Sequence, residues 1–317
     1  MATYTSDFPS ALKDTLLDAW QVAFDGEDAQ YKKVFNVRES NDNYETMLQF
    51  QGPDTIPESA EGQVFERVEI ESVREKTFYW VIYKGEVKIT REALDDNKYQ
   101  KIVDGASHIG SAVARTIDTV GAAFFYNGLS GAEMTPDSKA VFAADHTLSN
   151  PLPGAPASSG RNLGTGTLSV DNIRKARVLG RKTPDEHGSV SPYELSQLII
   201  PADLEDAADV IRESMLKPGT ANNDKNITGP KIKEVVVLDY LANAPSNAAT
   251  QWFLRDPRAN KSRNMFFWRV KPEKKIVRDD ASDDYLFRCY MRFGIGAADW
   301  RGLFGSTGAS GSDSVLY

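Results

Sequence analysis

Val64–Val73 reads VFERVEIESV and Lys76–Lys84 reads KTFYWVIYK. Charged and apolar residues alternate through the first segment, where Glu66, Arg67, Glu69 and Glu71 stand beside Val68 and Ile70. The second carries Phe78, Tyr79, Trp80, Val81, Ile82 and Tyr83. Alternation of this kind marks half-buried strands, so the stretch from Val64 to Thr90 predicts a two-stranded ribbon. A lone hairpin is marginal in water, and a neighbouring subunit is the simplest cover for its aromatic side. Gly85 reads as a bend or bulge in the second strand.

Beyond the ribbon, Thr90–Asp96 (TREALDD) opens a long helix. Ile102, Ala106, Ile109, Val113, Ile117, Val120 and Phe124 fall on one face at helical spacing. The helix predicted over 93–126 spans about 50 Å at ~1.5 Å per residue. Charges flanking the stripe are sparse, so a scaffold helix across a sheet fits better than a coiled coil. Upstream, Leu12, Leu16 and Trp20 recur every four residues behind Pro9, as on an arm helix that docks elsewhere. The segment 36–63 is polar and Gly/Pro-rich and reads as a loop, as does 128–167, whose length suggests a functional or mobile one. Downstream, Ser169 or Asp171 caps a helix. Strands follow at 195–201, 233–241, 251–255, 265–271 and 285–293, with a helix at 204–215. Strands and helices interleave irregularly, which predicts an α+β protein with more than one lobe.

Composition bounds the function. The chain has 317 residues, 41% hydrophobic and 26% charged, as in ordinary globular proteins. No run reaches the ~18–20 apolar residues of a membrane span, and the first residues lack a signal-peptide pattern, which favours cytoplasmic synthesis. Cys289 is the single cysteine, excluding an internal disulfide and disfavouring a thiolate metal site. A net charge of −8 lacks the basic stripe of a specific duplex-DNA binder and suits non-specific proximity to packed DNA.

Candidate chemistry is thin. His108, His146 and His187 lie outside ligand spacing of one another and of Cys289. His146 beside Asp145 is no acid/base pair on sequence grounds alone. Gly164-Thr165-Gly166 lacks the third glycine of a dinucleotide loop and reads as a turn, and Gly294-Ile295-Gly296 opens no helix of the required kind. Asp279, Asp280, Asp283 and Asp284 do not match an EF-hand and read as a solvated turn. The aromatic-basic tracts at 252–255 and 266–269 read as core strands rather than stacking platforms. No catalytic residue, cofactor or metal is expected.

Three tracts in order carry a resemblance: Val141–His146 (VFAADH), Leu198–Ala208 (LIIPADLEDAA) and Arg292–Gly302 (RFGIGAADWRG) with LFGS after it. Together they resemble the major capsid proteins of tailed phages, and most of all the major head subunit family of Mu-like phages and prophages. The resemblance spans most of the chain. It implies the Hong Kong 97-type capsid fold: an N-terminal arm (1–35), an extended β-hairpin loop (36–91), a peripheral domain (92–186) with a spine helix (93–126), an axial domain (187–271), and a return strand with the C-terminal tail (272–317). It further implies a structural protein, not an enzyme, that assembles as pentamers and hexamers into an icosahedral shell around phage DNA. The partners it implies are a separate scaffolding protein, a portal and a decoration protein, with no membrane, and the location is the virion. Leu12, Leu16, Trp20, Glu66, Glu69, Glu71, Arg74, Lys76, Phe78, Trp80 and Lys84 are the candidate inter-subunit contacts. Two alternatives stand beside this reading: a cellular, encapsulin-like compartment shell, and a cytoplasmic enzyme with a mobile lid at 128–167.

Overall fold

The computed structural model describes residues 8–310 apart from 54, 57, 66, 68–69, 97–98, 156, 219–223, 260–262, 280–281 and 283; of residues 8–12, 71, 94–95, 99 and 310 it describes the backbone alone. The chain opens with helix α1 (Phe8–Asp25) and a single turn, α2 (Tyr31–Val34). Four strands follow: β1 (Asn36–Glu39), β2 (Tyr44–Gln51), β3 (Glu71–Tyr79) and β4 (Val81–Ile89). Next come a short α3 (Arg91–Asp95) and the long α4 (Tyr99–Ser130), with β5 (His146–Thr147), β6 (Ser159–Gly160) and β7 (Leu163–Gly166) in the segment after it. The remainder alternates: α5 (Val170–Arg181), β8 (Gln197–Ile200), α6 (Glu205–Glu213), β9 (Glu234–Val237), β10 (Trp252–Arg255), β11 (Asn264–Arg278), β12 (Tyr285–Ala297) and β13 (Leu303–Ser310). The α+β expectation holds.

Two sheets organise the body. A four-stranded sheet runs β1-β11-β12-β4, antiparallel except where β1 pairs parallel with β11. A five-stranded sheet runs β7-β13-β10-β8-β9, with β10 antiparallel to both neighbours and both outer pairs parallel. Side chains on a strand alternate between faces, and the central strands of the second sheet use both. Leu198, Ile200, Trp252 and Leu254 face α5 and α6, whereas Ile199 and Phe253 join the core around α4. Two hydrophobic cores therefore share one sheet, and β8 and β10 are buried throughout.

The long helix is where its stripe places it, displaced toward the C-terminus: it starts at Tyr99 rather than 93 and continues to Ser130. Ile102, Ala106, Val113, Ile117 and Phe124 are buried. Helix α1 lies along α4 so closely that a Cβ at Gly110 would stand 2.5 Å from the Trp20 carbonyl oxygen. Leu16 and Trp20 are thus buried inside the chain's own core, and Lys274 covers the Trp20 ring at 4.7 Å. The arm helix docks on its own subunit, where Leu16 and Trp20 share a core with Ile102, Ala106 and Val113 of α4.

The ribbon departs from its prediction. The described residues of 64–70 form no strand, and β3 pairs with β2 in a segment expected to be loop. The YETMLQFQ of β2 does alternate, with Tyr44, Leu48 and Phe50 exposed and Glu45, Met47, Gln49 and Gln51 half-buried; its polar half disguised it. The expected strand at 76–84 is broken at Trp80, where the chain passes from the two-stranded hairpin into the four-stranded sheet. Gly85 is regular strand, opposite Cys289. Gly164–Gly166 is not a turn: β7 runs beside β13, and the Gly166 carbonyl accepts from the Trp252 indole at 2.9 Å and the Ser306 hydroxyl at 2.6 Å. Ser169 caps α5 as expected, accepting from the Asn172 backbone N–H.

Candidate assembly surface

The β2–β3 hairpin has one face against the body and one in solvent. Its base is apolar. Phe78 and Trp80 are buried with Met265, Phe267 and Ala298, with Met47 against them, and the Trp80 indole donates to the Asp42 carbonyl at 2.9 Å. These two predicted contact residues are covered by the chain's own β11, the neighbour the linear sequence could not reveal.

Further along, the seat is polar. Lys76 donates to the Met134 carbonyl at 2.6 Å and stands 3.7 Å from Glu133. Arg74 donates to the Thr147 carbonyl at 2.7 Å and the Ser149 hydroxyl at 2.8 Å, with Asp137 and Glu186 each 3.8 Å away. Gln49 donates to Glu186 at 3.0 Å and Gln51 to Asp185 at 3.4 Å. His187 Nε2 sits 3.2 Å from the Gly52 carbonyl. The hairpin's inner face is thus basic and amide-bearing, and the groove that receives it is acidic.

Beneath the groove lies a buried polar cluster. His146 is fully buried, stacks on Trp300 at 4.3 Å and 3°, and faces Asp137 at 2.7 Å through Nδ1 and Asn162 Oδ1 at 3.0 Å through Nε2. Asn162 is oriented by donating to the Val141 carbonyl and accepting from the Ala143 N–H. Both ring nitrogens are therefore engaged within the chain. Burial alone would raise the Asp137 pKa, but hydrogen bonds from His146 and Thr135 outweigh it and bring it to about 2. Arg301 donates to the Pro184 carbonyl, Glu186 and Asp299 at 2.7, 2.9 and 3.2 Å. Beside this cluster a cleft of about 380 Å³ separates the hairpin from Tyr193, Arg263, Asp299 and Arg301. Its charges pair with one another, Arg263 with Asp299 at 3.4 Å, which is the pattern of a cemented support. Among the described residues no group of three or more His, Cys, Asp or Glu side chains could hold a metal, and no helix is long and apolar enough to cross a membrane.

The remaining candidates scatter. Lys84 is exposed over the Tyr290 ring at 5.8 Å. Glu66 and Glu69 lie outside the described residues, as do the side chains of Leu12 and Glu71; the Glu71 backbone pairs with Gln51. The residues that sequence reading missed are the most exposed apolar groups of the loop beyond the hairpin: Ile56 (84% exposed), Val64 (92%), Phe65 (98%) and Ile70 (71%). Tyr44, Leu48, Phe50 and Tyr79 on the hairpin's outer face are exposed as well, and exposed apolar groups in number are what an interaction site presents. Apolar side chains inside a Gly/Pro/Glu-rich tract were the available signal.

A family model described as phage capsid protein matches residues 75–305. Among solved structures, a capsid of an empty GTA particle is similar with a TM-score of 0.51 at 14% identity, over 88% of this chain and 89% of that one. The procapsid of bacteriophage JBD30 is similar with a TM-score of 0.50 at 16% identity, over 96% and 76%. A virus-like particle from Pyrococcus furiosus gives 0.51 at 11%, over 92% and 98%. No curated protein matches the chain.

Proposed function

Because the chain belongs to the phage capsid protein family and has the Hong Kong 97-type capsid fold, we propose that its hairpin, with the apolar loop beyond it, is the surface through which identical copies close an icosahedral head. The protein is a structural subunit of the virion shell, not an enzyme, and it works by association with itself. The observation that carries the assembly reading is the apolar surface from Tyr44 to Tyr79, with Ile56, Val64, Phe65 and Ile70. An isolated chain leaves this area in water. Burying apolar area yields about 25 cal/mol per Å², and closed symmetry repeats each contact throughout a shell.

In this reading the hairpin is the extended loop, α4 the spine helix, the four-stranded sheet the heart of a peripheral domain, and the lobe bearing α5 and α6 the axial domain that meets its copies as pentamers and hexamers. Arg74, Lys76 and Lys84 act as register-setting charges. Leu16, Trp20, Phe78 and Trp80 act indirectly, by holding the helix and hairpin that a neighbour meets. A separate scaffolding protein, a portal and a decoration protein complete the head, and the narrower kinship is with Mu-like heads. The acidic balance of −8 keeps the shell from adhering to the DNA it encloses. A cellular compartment shell is the second reading, supported by the shared fold of the Pyrococcus furiosus particle; the family match weighs against it.

Negative-stain imaging of the purified chain, alone and co-expressed with its neighbouring genes, tests the assembly reading. Uniform closed particles are expected. A chain that stays monomeric at high concentration under both conditions would overturn it.

A further inference from the structure

We propose that the lobe bearing α5 and α6 meets its copies head to tail, with the basic outward face of α5 on one copy lying against the acidic outward face of α6 on the next. The inference rests on the shell reading and gives the contact a polarity that the fold alone does not dictate. Three observations carry it.

The first is opposite charge on two helices of one lobe. On α6, Ala208 and Ile211 are buried against the sheet, which turns Asp206, Val210 and Glu213 outward, with Glu205 and Asp209 beside them. All four carboxylates are exposed, and among the described residues none has an ion-pair partner. On α5, Ile173 and Ala176 are buried in the same core, which turns Arg174, Val178 and Arg181 outward, and Lys175 and Lys182 add to the positive charge. The one acid on that face, Asp171, is held by Lys217 at 2.9 Å as well as by Arg174 at 3.6 Å, so the face stays basic. The second is register. Arg174, Val178 and Arg181 stand at i, i+4 and i+7, and Asp206, Val210 and Glu213 repeat that spacing with the opposite charge. Each set spans about 10.5 Å at ~1.5 Å per residue. Helices laid parallel therefore bring Arg174 to Asp206 and Arg181 to Glu213, with the two valines between them. A basic protein of another kind would account for α6 alone; the matching set on α5 makes a second copy the occupant.

The third is placement. Helix α5 begins over the edge strand β7, where a Cβ at Gly166 would stand 2.5 Å from the Asn172 side chain. Helix α6 ends over Gly229, where a Cβ would stand 2.5 Å from the Arg212 carbonyl oxygen, shortly before the opposite edge strand β9. The two faces thus lie toward opposite edges of one sheet. A contact between unlike patches is heterologous, and it makes a ring where the rotation closes. The end of α6 is also apolar. Asn226 donates to the Ile211 and Ser214 carbonyls, which sets Ile227 (59% exposed) near Met215 (86%) and Val210 (54%). A copy seated on α6 would take this area out of water.

Charge reversal tests the pairing. Arg174→Glu with Arg181→Glu makes both faces acidic, and Asp206→Lys with Glu213→Lys makes both basic. All four side chains are exposed, so urea unfolding of each free chain should match the parent. Under the conditions that give parent particles, either pair alone should raise the concentration needed for assembly about tenfold or more. The variant carrying both pairs should assemble near the parent's concentration, because every α5–α6 contact again joins opposite signs. Normal assembly of either double variant would overturn the pairing, as would failure of the combined variant to recover while still folded. Loss confined to one helix would also overturn it, leaving that helix to a partner other than a copy. Should the combined variant not fold, chains with Val178→Cys and with Val210→Cys, each in a Cys289→Ser background, are co-assembled in equal amounts and treated with a short bismaleimide. Covalent dimers are expected, and particles without them would overturn the proposal while leaving the shell reading intact. Absence of particles from the unaltered chain would overturn both.

Discussion

Removal of the loop beyond the hairpin should uncouple folding from assembly. Gln51 and Glu71 are paired across the end of the hairpin, so residues 52–70 can be replaced by Asn-Gly, whose type I′ turn suits the twist of two antiparallel strands. Within one chain little is lost. Ile56, Val64, Phe65 and Ile70 are exposed, and the described contact that disappears is His187 with the Gly52 carbonyl. Closing a loop roughly ten times shorter lowers the closure cost by (3/2)RT ln 10, about 2 kcal/mol. The free variant should therefore be as stable as the parent, or more so by about 1–2 kcal/mol. Association is different. Fully burying four such side chains is worth roughly 1.5–3 kcal/mol each, hence roughly 6–12 kcal/mol per subunit before ordering costs. Retaining even a quarter of that would mean that deletion raises the assembly threshold by about one to two orders of magnitude, at 1.4 kcal/mol per tenfold. Light scattering against protein concentration, with imaging of the products, measures the threshold, and urea unfolding of the unassembled chain measures the fold. A variant that forms normal particles at the parent's concentration would refute the reasoning. So would one that unfolds much more easily, since the loop would then belong to the chain's own core.

Three further outcomes concern the body that carries the hairpin. Asp118, buried on α4 and accepting from the Tyr31 N–H at 2.9 Å, has its pKa raised by burial to about 6. Because its folded value lies above its unfolded one, the native state binds the proton more tightly, and stability falls as pH rises from about 4 to about 6, by at most about 3 kcal/mol; Asp118→Asn should stabilise at pH 8 and be neutral near pH 4 in urea titrations, and an equal gain at both pH values would sink the argument. Arg301→Met takes the guanidinium that Glu186 and Asp299 share, leaving them to Arg74 and Arg263, and should cost about 1–3 kcal/mol in denaturant unfolding, whereas no measurable cost would mean the cluster is not a structural support. At Gly160 a Cβ would fall 2.2 Å from the Trp300 ring, so Gly160→Ala should lose about 1–3 kcal/mol and shift tryptophan emission; an unchanged spectrum would contradict the packing of that ring on His146.

Elements with a clear period were legible. The α4 stripe, the apolar runs that became β8, β10, β11 and β12, and the Ser169 cap each announce themselves through local physics. The failures occur where what covers or pairs a strand lies far away in sequence. β2 is half polar because its inner face meets a hydrophilic groove, so its alternation resembles loop composition. β7 is glycine-rich yet a strand, because β13 and the Trp252 indole supply what its own side chains do not. Among the contact residues, the aromatic positions were recognised as needing cover, but Phe78 and Trp80 find it in β11, nearly two hundred residues away in sequence. The groove itself was illegible. Asp137, Thr147, Ser149 and Glu186 look like scattered polar loop residues until the fold converges them on Arg74, as it brings Glu133 to Lys76.

That convergence explains why the long segment between α4 and α5 is neither lid nor linker. Within it His146 bonds Asp137 and Asn162, and Asn162 bonds the Val141 carbonyl, while Arg301 beside them is held from beyond α5 by Pro184 and Glu186. A buried network is stiff only when its members are satisfied together, and a stiff floor is what a repeated contact needs. In the proposed shell, any wobble in the groove would be multiplied at every lattice position. On the proposed reading, polar floor, anchored apolar base and exposed apolar loop divide the labour of assembly. Precision comes from the groove, reach from the hairpin, and the driving force from the apolar side chains the chain leaves in solvent.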